Sequence, residues 1–396
     1  MLTDSRSPPM CQAGISSTTV NQDSELMPRD SQTPLSRTTV MVGLSGGVDS
    51  SVAALLLLEQ GCRVEGLFMK NWEEDDTADH CAAAADLEDA GKVAELLGIR
   101  LHRVNFSTEY WDRVFSNFLT EYRVARTPNP DILCNREIKF RAFLEHALDL
   151  GAERIATGHY ARVARDHAGW HLRLAADENK GQTYFLDLLG QEQLSRCLFP
   201  LGNLNKREVR ALARRAGLPT AERKDSTGIC FIGERRFRDF LARHLPREPG
   251  PIETPQGKVI GEHQGLAYYT IGQRRGLGIG GVAGWAEAPW FVARKDLARN
   301  ALILVQGHDH PLLMSSGLDG GAPHWIAAEP SAVPFACRLR LRHHQALEDC
   351  TLTDLGDDRC RARFTRHQRA VTPGQAAVFY RDQECLGGAV IERAWA

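Results

Sequence analysis

Long apolar runs are missing from this 396-residue sequence. Even Val52 to Leu58 is closed off by Glu59 and Gln60, far short of the roughly 18 to 20 apolar residues needed to span a bilayer, so no membrane association is expected. Paired cysteines are missing too. The ten thiols, Cys11, Cys62, Cys81, Cys134, Cys197, Cys230, Cys337, Cys350, Cys360 and Cys385, include no C-x-x-C pair. Neither a structural zinc site nor a disulfide scaffold is expected from that spacing, and no protein-held metal site is assigned. An apolar h-region is lacking near the start, which argues against a secretory signal. Asp4, Asp23, Glu25 and Asp30 argue against a mitochondrial presequence. The cytoplasm is the expected compartment, with Met10, Met27 and Met41 leaving the start open. No internal repeat is found.

What is present suits a large globular protein. With 43% hydrophobic residues, a chain this long can bury an ample core, and its length fits two or three domains. Residues 1–37 hold seven Ser, four Thr and four Pro with little apolar periodicity, the composition of a disordered tail. The net charge of −2 hides an asymmetry: residues 71–89 carry eight acids and no Lys or Arg, whereas residues 204–247 carry twelve Lys or Arg against five acids. Such a charge run often forms only a solvated face, but the basic stretch also suits a polyanion, with counterion release supplying affinity.

From Thr39 to about Gly158, short β-rich runs (Thr39 to Leu44, Arg63 to Phe68, Leu101 to Asn105, Arg154 to Thr157) alternate with helical stretches near residues 50–60, 80–97, 108–125 and 136–149. That alternation predicts an α/β domain with a mostly parallel sheet, ligands binding beyond the carboxyl ends of its strands. Asn205-Lys206-Arg207-Glu208 has capping-box spacing and predicts a basic helix ending at Gly217. Pro246, Pro249, Gly250, Pro251 and Pro255 mark a boundary. From Ala301 onward, short alternating runs separated by Gly356-Asp357-Asp358 and Pro373-Gly374 predict a small antiparallel barrel or sandwich. The expected domains are therefore 1–37, 38–235, 236–300 and 301–396.

Chemistry concentrates first in Val42-Gly43-Leu44-Ser45-Gly46-Gly47-Val48-Asp49-Ser50-Ser51, where a strand runs through glycines into a helix. Glycines let backbone N–H groups approach an anion, the helix N-terminus adds partial positive charge, and the Ser45 and Ser50 hydroxyls can donate to phosphate oxygens. The lysine of a Walker loop is lacking, so ordinary γ-phosphoryl transfer is not indicated. Gly276-Leu277-Gly278-Ile279-Gly280-Gly281 satisfies G-x-G-x-x-G, but no clear strand precedes it and no helix opens after it, so a dinucleotide site is rejected.

Ser45-Gly46-Gly47-Val48-Asp49-Ser50 resembles the signature of the ATP pyrophosphatase (PP-loop) superfamily, whose members adenylate a substrate oxygen and release pyrophosphate. The resemblance implies ATP held by Gly43 to Ser50, Asp49 helping to position Mg²⁺, and an adenine pocket at Met69. Phe68-Met69-Lys70-Asn71-Trp72, Thr127 to Asn135, Ala156 to Tyr160, Lys180 to Leu186 and Asp225 to Ile232 look in order like the bacterial tRNA-specific 2-thiouridylase family, from about residue 39 to 396. That family activates the C2 oxygen of a tRNA wobble uridine with ATP and replaces it by sulfur. The likeness implies a persulfide on Cys230 and a partner thiol on Cys134. A persulfide sulfur attacks the activated carbon, and a second thiol releases that sulfur, leaving a disulfide for later reduction.

By the same likeness Asn129, Pro130 and Asp131 contact the target base, and Gly158 falls in the nucleotide site. His159, Lys180, Gly181, Gln182, Arg342, His343 and Gln375 are expected to face tRNA, Gly181 standing where the family commonly has aspartate. Arg338, Arg340 and Arg342 are expected to share one face of a strand toward RNA. The implied partners are tRNAs, with Lys, Glu and Gln acceptors expected, and a cysteine desulfurase or sulfur-relay protein; a monomer is expected. Two other readings share parts of these data. An adenylating synthetase would use the loop but gives Cys134 and Cys230 no role; a non-catalytic RNA-binding protein would leave Ser45, Asp49 and Ser50 unexplained.

Overall fold

Alternate residues of Thr39–Gly43 (β1) enter two different cores, Met41 on one face and Val40 and Val42 on the other, which is why this short strand forms the middle of a sheet covered on both sides. The structure is a computed structural model describing residues 36–73, 83–225, 237–280, 284–356 and 358–396. The expected 1–37 tail and Cys11, Cys81 and Cys230 lie outside the described residues, apart from positions 36 and 37.

The chain runs from β1 into helix α1 (Val48–Glu59), then Arg63–Lys70 (β2), α2 (Ala84–Leu97) and Leu101–Asn105 (β3). Two helical runs follow. The first comprises Ser107–Tyr110, Trp111–Phe115 and Ser116–Arg123; the second Pro130–Leu133, Cys134–Ala142 and Phe143–Asp149, and each has a π-helical middle. Arg154–Ala156 (β4) returns beside β1. After the hairpin Arg162–Asp166 (β5) and Gly169–Arg173 (β6), Cys197–Leu198 (β7) completes a five-stranded sheet of order β3-β2-β1-β4-β7, every pair parallel. The order reverses at β1, so its carboxyl end opens onto the crevice where α/β sheets bind ligands. The predicted parallel sheet is what forms.

Helix α3 (Lys206–Arg215) starts as its sequence predicts. The Asn205 side chain accepts from the Arg207 and Glu208 N–H groups at 3.0 Å each, and Glu208 reaches back to the Asn205 N–H at 2.7 Å. Val209 and Ala213 bury its inner face, and Gly217 (φ +65°) follows it. Helix α4 (Phe237–His244) leads to a four-stranded sheet made of Gly250–Glu253 (β8), Val259–His263 (β9), Trp290–Asp296 (β10) and Ala301–Gln306 (β11), in the order β10-β11-β8-β9.

Strand β11 had been expected to open the barrel; its pairing with β10 and β8 puts it in the central sheet instead. An alternating apolar run reports a half-buried strand but not its partner. The barrel is built from Met314–Gly320 (β12), Phe335–Arg340 (β14), Glu348–Asp354 (β15), Cys360–Arg369 (β16), Ala376–Arg381 (β17) and Glu384–Trp395 (β18), with His324–Trp325 (β13) paired outside the ring. Six antiparallel strands in the order β12-β16-β15-β14-β17-β18 close through a β12–β18 pairing around Leu318, Leu339, Leu352, Phe379 and Ile391. Hairpin strand β6 adds to β18 (Arg173 opposite Glu384, Leu172 opposite Cys385), and this pairing joins the first region's chain to the barrel wall.

Candidate functional site

The loop between β1 and α1 is shaped by contacts that only glycine tolerates. Gly46 has φ +74°, and a Cβ there would lie 2.4 Å from the Asp86 carbonyl oxygen. Gly158, just after β4, packs against the start of α1 so closely that a Cβ would meet the Ser50 nitrogen at 2.7 Å and the Asp49 carbonyl carbon at 2.8 Å. Gly47 is the N-cap of α1 and has no side chain to spend on the first-turn N–H groups, which face outward with the helix's partial positive charge. The Ser45 N–H donates to Ser50 Oγ at 3.2 Å, the two serine hydroxyls stand 3.2 Å apart, and Ser50 and Ser51 hydroxyls donate to the Gly47 carbonyl at 3.1 and 2.8 Å. The loop is thus pre-formed. Leu44 and Val48 sit in the core beneath it, while Met69 at the end of β2 lies against Gly43, its methyl 3.3 Å from where a Cβ would be. Of the expected nucleotide residues, Gly43 to Ser50, Met69 and Gly158 converge on the carboxyl end of β1. The donor set suits a triphosphate, and Asp49 alone suits a Mg²⁺ held mainly by phosphate oxygens.

Asp49 is not a lone carboxylate. Its Oδ1 accepts from the Tyr160 hydroxyl at 2.8 Å, and the Lys206 ammonium donates to Oδ1 and Oδ2 at 2.8 Å each. Burial, reinforced by the negative Asp49, raises the Tyr160 phenol, so it stays a donor. The Lys206 ammonium also reaches Asp225 Oδ1 at 2.8 Å, and Asp225 accepts from Arg210 at 2.8 Å and Lys180 at 2.7 Å. Burial pushes the Asp225 carboxyl up, but the Lys180 and Lys206 hydrogen bonds outweigh it and hold the group down at about 2. Arg223 spans the loop and α2, donating to the Gly46 carbonyl at 3.1 Å and pairing with Asp86 and Asp89. Sequence reading missed Tyr160, Lys206, Arg210 and Asp225 as parts of one cluster. The available signal was Lys206 at the first helical position of the capping box.

The remaining expected residues fall into two groups. Asn129 caps the turn Pro130–Leu133 through the Asp131 N–H (3.1 Å), Pro130 takes the first helical position, and burial pushes the Asp131 carboxyl up against the opposing pull of Lys139. Cys134 begins the following π-helical turn with 1% exposure. Nearby, Gln375 donates to the Thr127 carbonyl at 2.7 Å, and a cavity of about 290 Å³ lined by Thr127, Thr270, Gly272, Arg342, Thr372 and Gln375 opens where all three regions meet. The second group joins Lys180-Gly181-Gln182 to His343, whose Nε2 hydrogen-bonds the Gly181 carbonyl at 2.9 Å. Gln182 exchanges hydrogen bonds with the Tyr160 backbone at 2.9 Å each way. His159 is buried beside Phe140 and Phe199 with Thr157 Oγ1 2.8 Å from its Nδ1, and burial, then Lys139, lowers its pKa well below the usual range.

Arg338 and Arg340 share the face of β14 that points away from the barrel core, but they do not form an exposed basic row. Strand β14 ends at Arg340, whose guanidinium is buried over the Tyr380 ring at 5.7 Å, while Arg338 bonds the Asp382 carbonyl. Arg342, beyond the strand, is exposed as a residue, but its guanidinium is partly buried and donates to the Ala370 carbonyl at 2.8 Å, so alternation in the sequence overstated the basic face. In the loop that carries the rejected dinucleotide motif, Gly276 and Gly278 each have φ +71°.

Residues 38–234 match the tRNA methyl transferase HUP domain family, 238–306 the tRNA methyl transferase PRC-barrel domain and 315–391 the aminomethyltransferase beta-barrel domain. The chain is similar to the tRNA-specific 2-thiouridylase MnmA of Methylococcus capsulatus, 59% identical over 89% of this chain and 96% of that protein. It is also similar to that of Proteus mirabilis, 57% identical over 90% of this chain and 98% of that one. Among solved structures, a 4-thiouridine synthetase in complex with RNA and bound ATP shares 20% identity over 52% of this chain and 49% of that chain, with a TM-score of 0.34, too low to carry weight.

Proposed function

The chain belongs to the tRNA-specific 2-thiouridylase family, and from that premise we propose how its own residues carry out the family's reaction. It is an ATP-dependent tRNA-uridine 2-sulfurtransferase. The family descriptions speak of methyl transfer and the relatives' names of thiolation; a phosphate loop followed by two cysteines in the family's words fits the second.

The observation that carries this reading is the pre-formed cradle of Ser45 to Ser50, closed from behind by Gly158. Backbone N–H groups at the start of α1 and the two serine hydroxyls hold the phosphates that leave, Asp49 would help to hold a Mg²⁺ that neutralises phosphate charge, and Met69 borders the adenine. The uridine C2 oxygen attacks the α-phosphorus of ATP. The α–β bond breaks, pyrophosphate departs, and the oxygen becomes part of an AMP leaving group. Asn129, Pro130 and Asp131 receive the flipped base, and the Asp131 carboxyl, pushed up by burial, is suited to hydrogen-bond its polar edge.

The terminal sulfur of a Cys230 persulfide then attacks C2, and the C2–O bond breaks with loss of AMP. The Cys134 thiolate attacks the Cys230 sulfur, leaving sulfur on C2 and a Cys134–Cys230 disulfide that a dithiol reduces by two electrons. Cys230 lies outside the described residues. Cys134 is 1% exposed, and the exchange requires its segment and that of Cys230 to meet during turnover. A desulfurase or relay protein supplies the sulfur. His159, Lys180, Gly181, Gln182, Arg342, His343 and Gln375 position the tRNA, with Lys, Glu and Gln acceptors as substrates of a cytoplasmic monomer. No helix among the described residues is long and apolar enough to cross a membrane.

Nucleoside mass spectrometry on tRNA from cells lacking the protein tests the reaction. Loss of 2-thiouridine with other thiolated nucleosides unchanged is expected, and undiminished 2-thiouridine would overturn the assignment.

A further inference from the structure

Lys206 holds a position that the reaction outlined above does not use. Its ammonium has three N–H bonds, and all three point at carboxylate oxygens 2.8 Å away: Asp49 Oδ1, Asp49 Oδ2 and Asp225 Oδ1. The side chain is only 14% exposed, and its own backbone N–H donates to Asp177 Oδ2 at 3.0 Å, so the stem is fixed at the start of α3. The two carboxylates have different surroundings. Asp49 sits in the first turn of α1, within the cradle itself, and Asp225 is held by Lys180 and Arg210.

A carboxylate at a phosphate-binding helix start repels the very ligand that the helix attracts unless a cation stands between them. Lys206 is the cation that the chain itself supplies. When phosphates arrive with their own divalent ion, Asp49 has a better partner, and two of the three Lys206 N–H bonds become available while the third keeps the ammonium beside the loop through Asp225. We propose that Lys206 is a nucleotide-binding residue that turns from Asp49 to the β- and γ-phosphate oxygens when ATP binds, with Asp225 as its tether. This inference rests on the ATP reading of the loop. It adds to that site a point charge, the one feature of a Walker loop that the motif lacks, delivered from a helix some 150 residues downstream rather than from the loop itself.

Calorimetric titration of the full chain with α,β-methylene-ATP, which cannot be cleaved at the reacting bond, and separately with AMP, both in Mg²⁺, tests it without any need for turnover. Lys206→Met is expected to weaken the analogue about 10- to 100-fold, the range of a charge-assisted hydrogen bond, and to leave AMP within about 2-fold. Asp225→Asn, which keeps the lysine but loosens its tether, is expected to weaken the analogue by a smaller factor, about 3- to 10-fold. A Lys206→Met protein that binds the analogue as tightly as the parent, or more tightly, overturns the proposal, because a lysine that merely screens Asp49 gives that result. If Lys206→Met fails to fold by circular dichroism, Asp225→Asn decides alone, and unchanged affinity overturns it. A parent protein that binds neither nucleotide would instead sink the reading of the loop as an ATP site.

Discussion

At the scale of single residues, the loop could be read directly because glycine, serine and aspartate at fixed offsets after an apolar strand have few other uses. Gly158 shows how tightly that reading is enforced. Gly158→Ala places a methyl 2.7 Å from the Ser50 nitrogen and displaces the start of α1, so ATP affinity should fall at least about 10-fold and the melting temperature should drop, checked by titration and calorimetry. Lys206 was not legible, since a lysine at a helix start looks like any solvated charge until folding brings α3 against α1. Asp225 gives the cluster a pH signature. Its carboxyl titrates near 3.8 when unfolded and near 2 when folded, so the ion pairs stabilise the protein fully above about pH 4 and lose that contribution as pH falls toward 2. The melting-temperature gap between the parent and Asp225→Asn should therefore be constant from about pH 5 to 7 and narrow on acidification; a gap that does not narrow would show that the ion pairs add nothing.

Elements were legible where one local pattern implied one partner. The parallel strands β1 to β4 are short β-rich runs between helices and were found nearly to the residue, whereas β7 is two residues long and carries no pattern. The β5–β6 hairpin escaped notice because its partner, β18, lies more than 200 residues away, and β11 was given the wrong sheet because alternation does not name a neighbour. The short turn Thr183–Phe185 and the residues after it wedge between the sheet and the barrel. Tyr184 donates to the Leu341 and Ala376 carbonyls at 3.3 and 3.2 Å, and Asp187 is 1% exposed. Burial raises the Asp187 carboxyl from 3.8 to about 8, and its Oδ1 has no hydrogen-bond partner among the described residues, so the folded protein favours the neutral acid. A raised carboxyl stabilises below its unfolded value and loses that contribution as pH rises from about 4 to 8. Asp187→Asn mimics the neutral form. It should melt within a degree or two of the parent at pH 4 and above it at pH 9; equal melting at pH 9 would contradict the burial argument.

At the scale of the whole molecule, the first two regions and the barrel share the cavity at Thr127, Thr270 and Arg342, where the Arg342 guanidinium donates to the Ala370 carbonyl at 2.8 Å, and the proposed function makes Arg342 a phosphate-type contact rather than a base reader. Arg342→Ala should weaken binding about equally across substrate tRNAs and reduce the slope of log affinity against log salt by about one, measured by filter binding between 50 and 200 mM salt; an unchanged slope would remove Arg342 from the interface. The domain order was readable from composition and spacing, and the meeting of distant segments at this cavity was not, because it depends on how β18, the central sheet and the 127–134 turn pack together. The proposed reaction joins an ATP loop to a sulfur donor on Cys230, and one assay measures both halves at once: purified protein with tRNA, ATP and a persulfide source, followed for pyrophosphate, for AMP and, by mass spectrometry, for 2-thiouridine. The parent should release one AMP for each 2-thiouridine formed, and Cys230→Ser should release pyrophosphate from the adenylation step while forming neither AMP nor 2-thiouridine. Thiolation by Cys230→Ser at the parent's rate would contradict the account.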